Sequence, residues 1–211
     1  MRTDFRLPRI YPITDVEISG ITHAEQVKLL GEAGATFVQL REKKLPALDF
    51  YQQAQTALTV AAERGVTVII NDRVDVALAL NAPGVHLGQD DLPPEAARRL
   101  LGDKAIIGYS THNVAQAIAG SALPVDYIAI GPIFETGTKE DPDPVIGLEG
   151  LSAVRESINK PLVAIGGIAE ETASAVIQAG ADSIALISAL LSGGPNAISN
   201  RYRTLTRNLS E

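Results

Sequence analysis

The stretch Val125-Asp-Tyr-Ile-Ala-Ile-Gly-Pro-Ile-Phe-Glu-Thr-Gly-Thr-Lys139 decides how this chain folds. Its first part, up to Ile130, is an apolar run of the kind that forms a fully buried strand. Its second part, from Gly131 on, is a loop with two threonine hydroxyls and a lysine ammonium group. A buried strand that ends in a polar loop is typical of sheets made of parallel strands with helices on their faces.

The same unit recurs along the whole chain. The predicted strands are Arg9–Thr14, Phe37–Arg41, Thr67–Asn71, Gly84–Leu87, Ala105–Tyr109, Tyr127–Gly131, Leu162–Ile165 and Ser183–Ile187. The predicted helices between them include His23–Ala33, Ala47–Arg64, Pro94–Leu101, Val114–Ala119, Leu148–Ile158 and Ala169–Ala179. This alternation favours a single (β/α)8 TIM barrel over residues 1–211, with a doubly wound sheet as the alternative.

Composition excludes several classes of function. The chain has 211 residues, 45% of them hydrophobic, with a formal net charge of -7 and no cysteine. The lack of cysteine rules out disulfides and thiolate metal sites, and the negative charge argues against nonspecific nucleic-acid binding. No apolar run approaches the roughly 18 residues of a membrane span, and no signal-peptide core is present. We therefore expect a cytoplasmic protein with small-molecule substrates, and a homodimer remains open.

Polar residues gather where the predicted strands end, which is where a TIM barrel builds its active site. In chain order the candidates are Gln39, Arg41, Lys43, Asn71, Asp72, Asp91, Ser110, Thr136, Thr138, Lys139, Gly167, Ile187 and Ser188. Alternation along an extended strand would place Gln39, Arg41 and Lys43 on one face.

These residue types suit two anionic sites. Cations together with the carboxylates of Asp72 and Asp91 fit a Mg2+ ion that bridges the protein and substrate phosphates. The barrel's usual phosphate site lies after strands seven and eight, where Gly167 and Ser188 stand. Each residue also has a simpler explanation: a solvated strand end, a helix cap at Asp72-Arg73, or a tight turn at the glycine pair. Their joint placement favours a phosphate-handling site.

The three histidines form no cluster with metal-ligand spacing, so a zinc site is not expected. We predict that His23 lies on the surface near a helix start, and that His86 is a hydrogen-bonded core residue. His112 is the one histidine of functional interest, because it follows a strand end.

Several segments resemble motifs of the thiamine phosphate synthase family, in order and along essentially the full chain. They are Tyr11-Pro-Ile-Thr-Asp15, Val38-Gln-Leu-Arg-Glu-Lys43, Ile70-Asn-Asp-Arg73, Val85-His-Leu-Gly-Gln-Asp-Asp91, Ser110-Thr-His112, Gly131-Pro-Ile-Phe134, Thr136-Gly-Thr-Lys139 and Ala164-Ile-Gly-Gly-Ile168. The resemblance implies a transferase that joins 4-amino-2-methyl-5-hydroxymethylpyrimidine diphosphate to hydroxyethylthiazole phosphate, or to its carboxylated form, and releases pyrophosphate. It implies that the diphosphate leaves first and that the thiazole nitrogen captures the pyrimidine-methyl cation.

The resemblance also implies a role for each candidate residue. It implies that the pyrimidine diphosphate is bound by Gln39, Arg41, Lys43 and Asn71, with further contacts from Ser110 and Lys139. It implies that Mg2+ is bound by Asp72 and Asp91. The thiazole ring would contact Thr136 and Thr138, and the thiazole phosphate would be bound by Gly167, Ile187 and Ser188. The catalytic candidates among them are Arg41, Lys43, Ser110 and Lys139. Glu135 departs from the family pattern, which has proline there, and we expect its carboxylate to face solvent. We also predict that the loop from Glu135 to Ile146 closes over the substrates.

Two alternatives remain open at this point. A thiazole tautomerase of a related barrel family would need proton transfer, with His112 as its acid or base. A phosphate-ligand sensor would keep the fold without turnover. The pair of aspartates, together with the set of cations, favours the synthase.

Overall fold

Eight short apolar segments close into one parallel barrel in the described part of the chain. The computed structural model describes residues 6–137 and 143–209. The strands are β1 (Ile10–Thr14), β2 (Phe37–Leu40), β3 (Thr67–Asn71), β4 (Gly84–Leu87), β5 (Ile106–Thr111), β6 (Tyr127–Ile130), β7 (Leu162–Ile165) and β8 (Ser183–Leu186). Each strand pairs with the next one in sequence, and β8 pairs with β1. The predicted (β/α)8 barrel is confirmed.

Helices connect the strands and surround the barrel. They are α1 (Val16–Ser19), α2 (His23–Glu32), α3 (Ala47–Arg64), α4 (Val74–Ala79), α5 (Pro94–Leu101), α6 (Val114–Ser121), α7 (Gly147–Ser157), α8 (Glu170–Gln178), α9 (Ser188–Leu191) and α10 (Pro195–Asn208). None of the helices within residues 6–137 and 143–209 is both long and apolar enough to cross a bilayer.

Sequence signals at the helix ends agree with the structure. Thr22 caps α2 and forms a full capping box with Glu25. Gly34 and Gly180 follow α2 and α8 with φ of 102° and 112°, a region in which glycine avoids the steric cost of a Cβ. Both glycines therefore turn the chain from a helix into the next strand.

Two predicted strand boundaries are wrong in ways that affect the site. Strand β2 ends at Leu40 rather than Arg41, so Arg41 and Lys43 lie beyond the extended strand and need not share a face. Strand β5 runs to Thr111 rather than Tyr109, so Ser110 lies within the strand. Backbone pairing between β5 and β6 continues to Thr111 and Ile130, which extends the strand past its apolar residues.

Alternation along the strands divides the core in two. The barrel interior contains Tyr11, Ile13, Phe37, Ile69, Ile106, Tyr127, Ala129, Val163 and Ala185. Residues of the opposite parity, such as Val38, Leu40 and Ile70, pack outward against the helices. The same parity directs Gln39, Asn71, His86 and Ser110 toward the interior, because side chains two positions apart on a strand share a face.

The prediction for His23 is wrong, because its side chain is fully buried at the start of α2. Its Nδ1 atom lies 2.7 Å from the hydroxyl of Thr14, and its Nε2 atom lies 3.7 Å from Glu42. Burial lowers the pKa of His23, so the imidazole is a neutral structural group. His86 is buried and hydrogen-bonded as predicted.

Candidate active site

The ends of β2 and β3 bring a lysine and an aspartate together. Lys43, in the loop after β2, forms an ion pair with Asp72, which follows β3 directly. Asp72 has a φ of 60°, an uncommon conformation for a residue with a side chain that costs about 1–3 kcal/mol. Its backbone N–H donates to the carbonyl of His86 at 2.8 Å, which ties this corner to β4. The fold therefore holds the Asp72 carboxylate in a fixed place.

Asp91 adds a second carboxylate beside Asp72. Burial is the largest influence on the pKa of Asp72 and raises it; the Lys43 ion pair lowers this pKa, and the charge of Asp91 raises it again, so that the pKa lies above its ordinary value. Asp91 accepts a hydrogen bond from the N–H of Gly88 at 2.7 Å, which fixes its carboxylate in the loop after β4. A cation between two neighbouring carboxylates stabilises their charged forms.

The alternative that Asp72 merely caps a helix has no support in this structure. Helix α4 begins after Arg73, and no side chain caps its N-terminus. Arg73 forms two hydrogen bonds with Asp75, at 2.8 and 2.5 Å, and so belongs to a surface pair.

Arg41 is held by a partner that the motif analysis did not assign. Its guanidinium group lies 2.8 Å from the Asp15 carboxylate at the end of β1. Asp15 also caps α1, because its other carboxylate oxygen accepts the N–H of Ile18 at 3.1 Å. The Arg41 side chain retains 21% of its accessible surface, so the cation is oriented but still reachable.

Inside the barrel, five side chains form one continuous hydrogen-bond chain. The links are Gln39 to Tyr11 at 3.0 Å, Tyr11 to Tyr127 at 2.9 Å, Tyr127 to His86 at 3.0 Å, and His86 to Ser110 at 2.8 Å. Burial lowers the pKa of His86 to about 4 and raises the pKa of both tyrosines, so every member is neutral at pH 7.

Tyr11 and Tyr127 were absent from the candidate set, although a signal for them exists. Each occupies an inward position, two residues before Ile13 and Ala129 respectively. A tyrosine at such a position must find a hydrogen-bond partner inside the barrel. Gly108 provides the space for these partners, because a Cβ there would lie 2.0 Å from Cζ of Tyr127 and 2.5 Å from Nδ1 of His86.

On the opposite side, the loop after β6 packs onto the end of β7. The N–H groups of Ile133 and Phe134 donate to the carbonyls of Ile165 and Gly166 at 2.9 and 3.0 Å. Gly167 has a φ of 65°, and a Cβ there would lie 2.4 Å from the carbonyl oxygen of Glu135. The close approach of these loops requires glycine at this position.

The remaining candidates lie around the same rim or outside the described residues. Ile187 and Ser188 follow β8, with Ser188 as the first residue of α9. Thr136 is half-buried, and the side chain of Glu135 is exposed as expected. Thr138 and Lys139 lie outside the described residues, as does part of the loop from Glu135 to Ile146.

His112 connects β5 to the loop after β6. Its Nδ1 atom lies 2.9 Å from the carbonyl oxygen of Gly131 and 3.3 Å from a carboxylate oxygen of Asp143. Its backbone N–H donates to the side chain of Gln116 at 2.7 Å. These contacts suit a residue that holds two loops together.

Most of the described candidates form three groups at the carboxyl end of one barrel, while Asn71 is the last residue of β3 and Thr136 lies in the loop after β6. Lys43, Asp72 and Asp91 form an acid–base cluster, Gln39 and Ser110 are the two ends of the hydrogen-bond chain, and Gly167, Ile187 and Ser188 lie at the neighbouring ends of β7 and β8. Arg41, which directly follows β2, stands apart from these groups and is paired with Asp15 at the end of β1. Fold and site together define a (β/α)8-barrel enzyme with an active-site rim of cations, carboxylates and neutral hydrogen-bonding groups.

Known proteins similar to this chain identify its family. Residues 10–190 match the family described as thiamine monophosphate synthase. The thiamine-phosphate synthase of Clostridium novyi is 47% identical over 184 residues, which cover 87% of this chain and 90% of that protein. The thiamine-phosphate synthase of Syntrophomonas wolfei is 44% identical, with 93% of each chain covered. The solved thiamine phosphate pyrophosphorylase of Pyrococcus furiosus superposes with a TM-score of 0.85 at 35% identity, over 96% of this chain and 95% of that one.

The chain belongs to the thiamine monophosphate synthase family. This membership makes the protein an enzyme of the transferase class. These relatives give no support to the tautomerase or to the non-catalytic sensor.

Proposed function

We propose that this protein condenses 4-amino-2-methyl-5-hydroxymethylpyrimidine diphosphate with hydroxyethylthiazole phosphate to give thiamine phosphate and pyrophosphate, or with the carboxylated thiazole phosphate to give the same products and carbon dioxide. The observation that carries this proposal is the cluster of Lys43, Asp72 and Asp91 at three neighbouring strand ends of a barrel from this family. The cluster combines a cation for phosphate oxygens with two oxygen ligands for a metal ion.

The residues present fit Mg2+. Within residues 6–137 and 143–209, no group of three or more His, Cys, Asp or Glu side chains could hold a metal ion. Mg2+ does not need such a cage, because it commonly uses one or two carboxylates together with waters and substrate phosphates. Asp72 and Asp91 would hold the ion, whose charge would act against the burial and the Asp91 charge that raise the pKa of Asp72. Bound there, Mg2+ would neutralise charge on the departing pyrophosphate.

The protein's own cations act on the same leaving group. As the carbon–oxygen bond breaks, negative charge grows on the diphosphate, so Lys43 and Arg41 bind the transition state more strongly than the ground state. Asp15 fixes the direction of the Arg41 guanidinium before the substrate arrives. We assign Lys139 to the same task, although it lies outside the described residues.

No protein nucleophile is required, because the thiazole ring nitrogen attacks the pyrimidine-methyl cation. The protein must hold the acceptor close to the cation and keep water away. Gly167, Ile187 and Ser188 would bind the thiazole phosphate with backbone N–H groups, and Thr136 with Thr138 would contact the ring. Closure of the loop from Glu135 to Ile146 remains a prediction. Equal rates of loop proteolysis with and without both substrates would argue against it.

The reaction is tested with purified protein, both substrates and Mg2+. The proposal predicts that thiamine phosphate and pyrophosphate appear in equal amounts and that neither forms when one substrate is omitted. Isomerisation of the thiazole carboxylate phosphate without condensation would instead indicate the tautomerase. Cytoplasmic location and a homodimer remain predictions, which cell fractionation and light scattering would check.

A further inference from the structure

The hydrogen-bond chain inside the barrel ends at two candidate substrate contacts. It connects Gln39 to Ser110 through Tyr11, Tyr127 and His86, with distances of 2.8–3.0 Å. The three middle residues are 1%, 0% and 7% exposed, in that order. A buried donor or acceptor without a partner costs free energy, so each proton of these residues needs an acceptor, and the chain offers one to each.

The orientation of the Gln39 amide gives this chain a direction, because its N–H donates to the oxygen of Tyr11 at 3.0 Å. If each further proton has its acceptor within the chain, the O–H of Tyr11 donates to Tyr127 and the O–H of Tyr127 donates to Nδ1 of His86. The Nε2–H of His86 is then left for the hydroxyl oxygen of Ser110. At one end the Gln39 amide oxygen is left to accept a hydrogen bond. At the other end the Ser110 hydroxyl proton is left to donate one.

Among the hydrogen bonds described within residues 6–137 and 143–209, the complete reverse is the other arrangement that gives each of these protons an acceptor. Gln39 would then turn its amide nitrogen toward the substrate site. The Ser110 hydroxyl would donate to His86 and present an oxygen lone pair to the substrate site. A mixture of the two directions leaves two donors or two acceptors facing each other inside the barrel. The polarities of Gln39 and Ser110 are therefore coupled, although the two residues lie on β2 and β5.

We propose that Tyr11, Tyr127 and His86 are positioning residues that set the hydrogen-bonding polarity of Gln39 and Ser110 together, and thereby select a pyrimidine with an amino group. This inference rests on the proposed function, in which Gln39 and Ser110 contact the pyrimidine diphosphate. An amino group donates to the Gln39 oxygen, while an acceptor on the same substrate takes the Ser110 proton. An oxo group in place of the amino group would reverse the chain and turn a serine lone pair toward that acceptor. Either direction of the chain therefore opposes such a ligand at one end, at Gln39 in the first direction and at Ser110 in the reverse.

The surroundings of the chain keep its members neutral and in register. A protonated His86 would have two N–H donors and could not accept from Tyr127, whereas a neutral imidazole, 7% exposed between Tyr127 and Ser110, has one donor and one acceptor for these two partners. At Gly108, any Cβ would lie 2.3 Å from the Tyr127 hydroxyl oxygen and 2.5 Å from Nδ1 of His86. The space for this link exists only because residue 108 lacks a side chain.

The test measures discrimination, defined as the ratio of kcat/KM for the 4-amino pyrimidine diphosphate to kcat/KM for its 4-oxo analogue. In Tyr127→Phe the Tyr11 O–H loses its acceptor, and it regains one when the Gln39 amide turns its oxygen inward. The amide nitrogen then faces the substrate. We expect discrimination to fall about tenfold, because the site's preference at the 4-position is reversed. The matched control is Tyr202→Phe, which removes a tyrosine hydroxyl from α10, outside the barrel interior, and should leave the ratio unchanged.

Ser110→Ala provides a second reading that does not depend on a buried substitution. Ser110 is half-buried, so its loss should leave the fold intact. Alanine has no lone pair that could face the substrate's acceptor when the hydrogen-bond chain runs in the reverse direction. The reverse direction is then no longer disfavoured, and discrimination at the distant 4-position should fall as well. A wild-type enzyme that is active, with ratios unchanged in Ser110→Ala and in folded Tyr127→Phe, would overturn the positioning role and leave the proposed function standing. A wild-type protein that makes no thiamine phosphate would overturn both.

Discussion

The ammonium group of Lys43 is paired with the carboxylate of Asp72, so one ion pair joins the end of β2 to the end of β3. The same carboxylate is affected by the charge of Asp91, at the end of β4. Three strand ends are thus coupled electrostatically before any substrate binds. The lysine offsets repulsion between the aspartates, a role that a bound metal ion would share.

Lys43→Gln should raise the pKa of Asp72 further. The ion pair lowers this pKa, while burial and Asp91 raise it, so removal of the lysine leaves only the influences that favour the protonated acid. Carbon-13 NMR titration of the aspartate carboxyl groups would detect the shift. The neighbouring variant Lys44→Gln removes a cation that is paired with Glu17 on the surface, and it should leave Asp72 unchanged. An unshifted Asp72 in Lys43→Gln would mean that the ion pair does not persist in solution.

Asp91→Asn should lower turnover by about a hundred- to thousand-fold, because one of the two carboxylates that would hold Mg2+ against the leaving group is lost. Asparagine can still accept the hydrogen bond from Gly88, so the loop should keep its shape. Calorimetry should show thiazole phosphate binding with wild-type affinity. Asp90→Asn, at an exposed neighbouring position, is the matched control and should remain active. Equal loss of turnover and thiazole phosphate binding in Asp91→Asn would count against two separate anionic sites.

Gly108→Ala should destabilise the protein by about 3 kcal/mol or more, since the new methyl group would overlap the Tyr127–His86 link. Urea denaturation would measure the loss. Gly137→Ala is the comparison, because a Cβ at Gly137 meets no atom within 4 Å. Similar unfolding free energies for the two variants would show that the barrel interior has more room than the structure indicates.

His86 should make the free energy of unfolding depend on pH. The pKa of His86 is about 4 in the folded protein, against an ordinary value of 6.5 in the unfolded chain. Between these two pH values the unfolded chain therefore binds more protons than the folded protein. The stability contributed by neutral His86 is therefore present above pH 6.5 and is lost as the pH falls toward 4, in total about 3 kcal/mol. Denaturation of the wild type and of His86→Gln across this range would isolate the effect, because both retain His23. Parallel curves would contradict it.

His112→Ala should lower synthase turnover by less than about tenfold, because the imidazole supports two loops rather than transferring a proton in the proposed reaction. Steady-state kinetics with both substrates would measure this. An Asn113→Ala variant, which removes the N-cap of α6, controls for general loosening of this region. A loss as large as that of Asp91→Asn would reopen the tautomerase alternative.

The barrel could be predicted because its strands are apolar and recur at nearly regular intervals between amphipathic helices. Helix α10 is not among the predicted helices, since its 14 residues are mostly polar. The spacing of its buried residues Ile198, Tyr202 and Leu205, at intervals of four and three, was the available signal. Strand boundaries were less predictable, because backbone pairing extends β5 past its apolar residues to Thr111.

The candidate site was predictable in its residue types but not in its connections. Motifs drew attention to Arg41, Lys43 and Asp72, yet the ion pair with Asp15 joins positions 26 residues apart, and no local pattern encodes it. The chain from Gln39 to Ser110 depends on which side chains meet across a closed barrel. Such contacts follow from strand register and strand tilt, which the sequence does not display directly.

Whether Mg2+-assisted condensation takes place is decided by pyrophosphate release from the purified protein with both substrates, measured with Mg2+ and after its removal by a chelator. We expect Mg2+-dependent release that is matched by thiamine phosphate formation and is strongly reduced in Asp91→Asn. Release that proceeds equally well without a divalent cation, or an Asp91→Asn variant as active as the wild type, would contradict it.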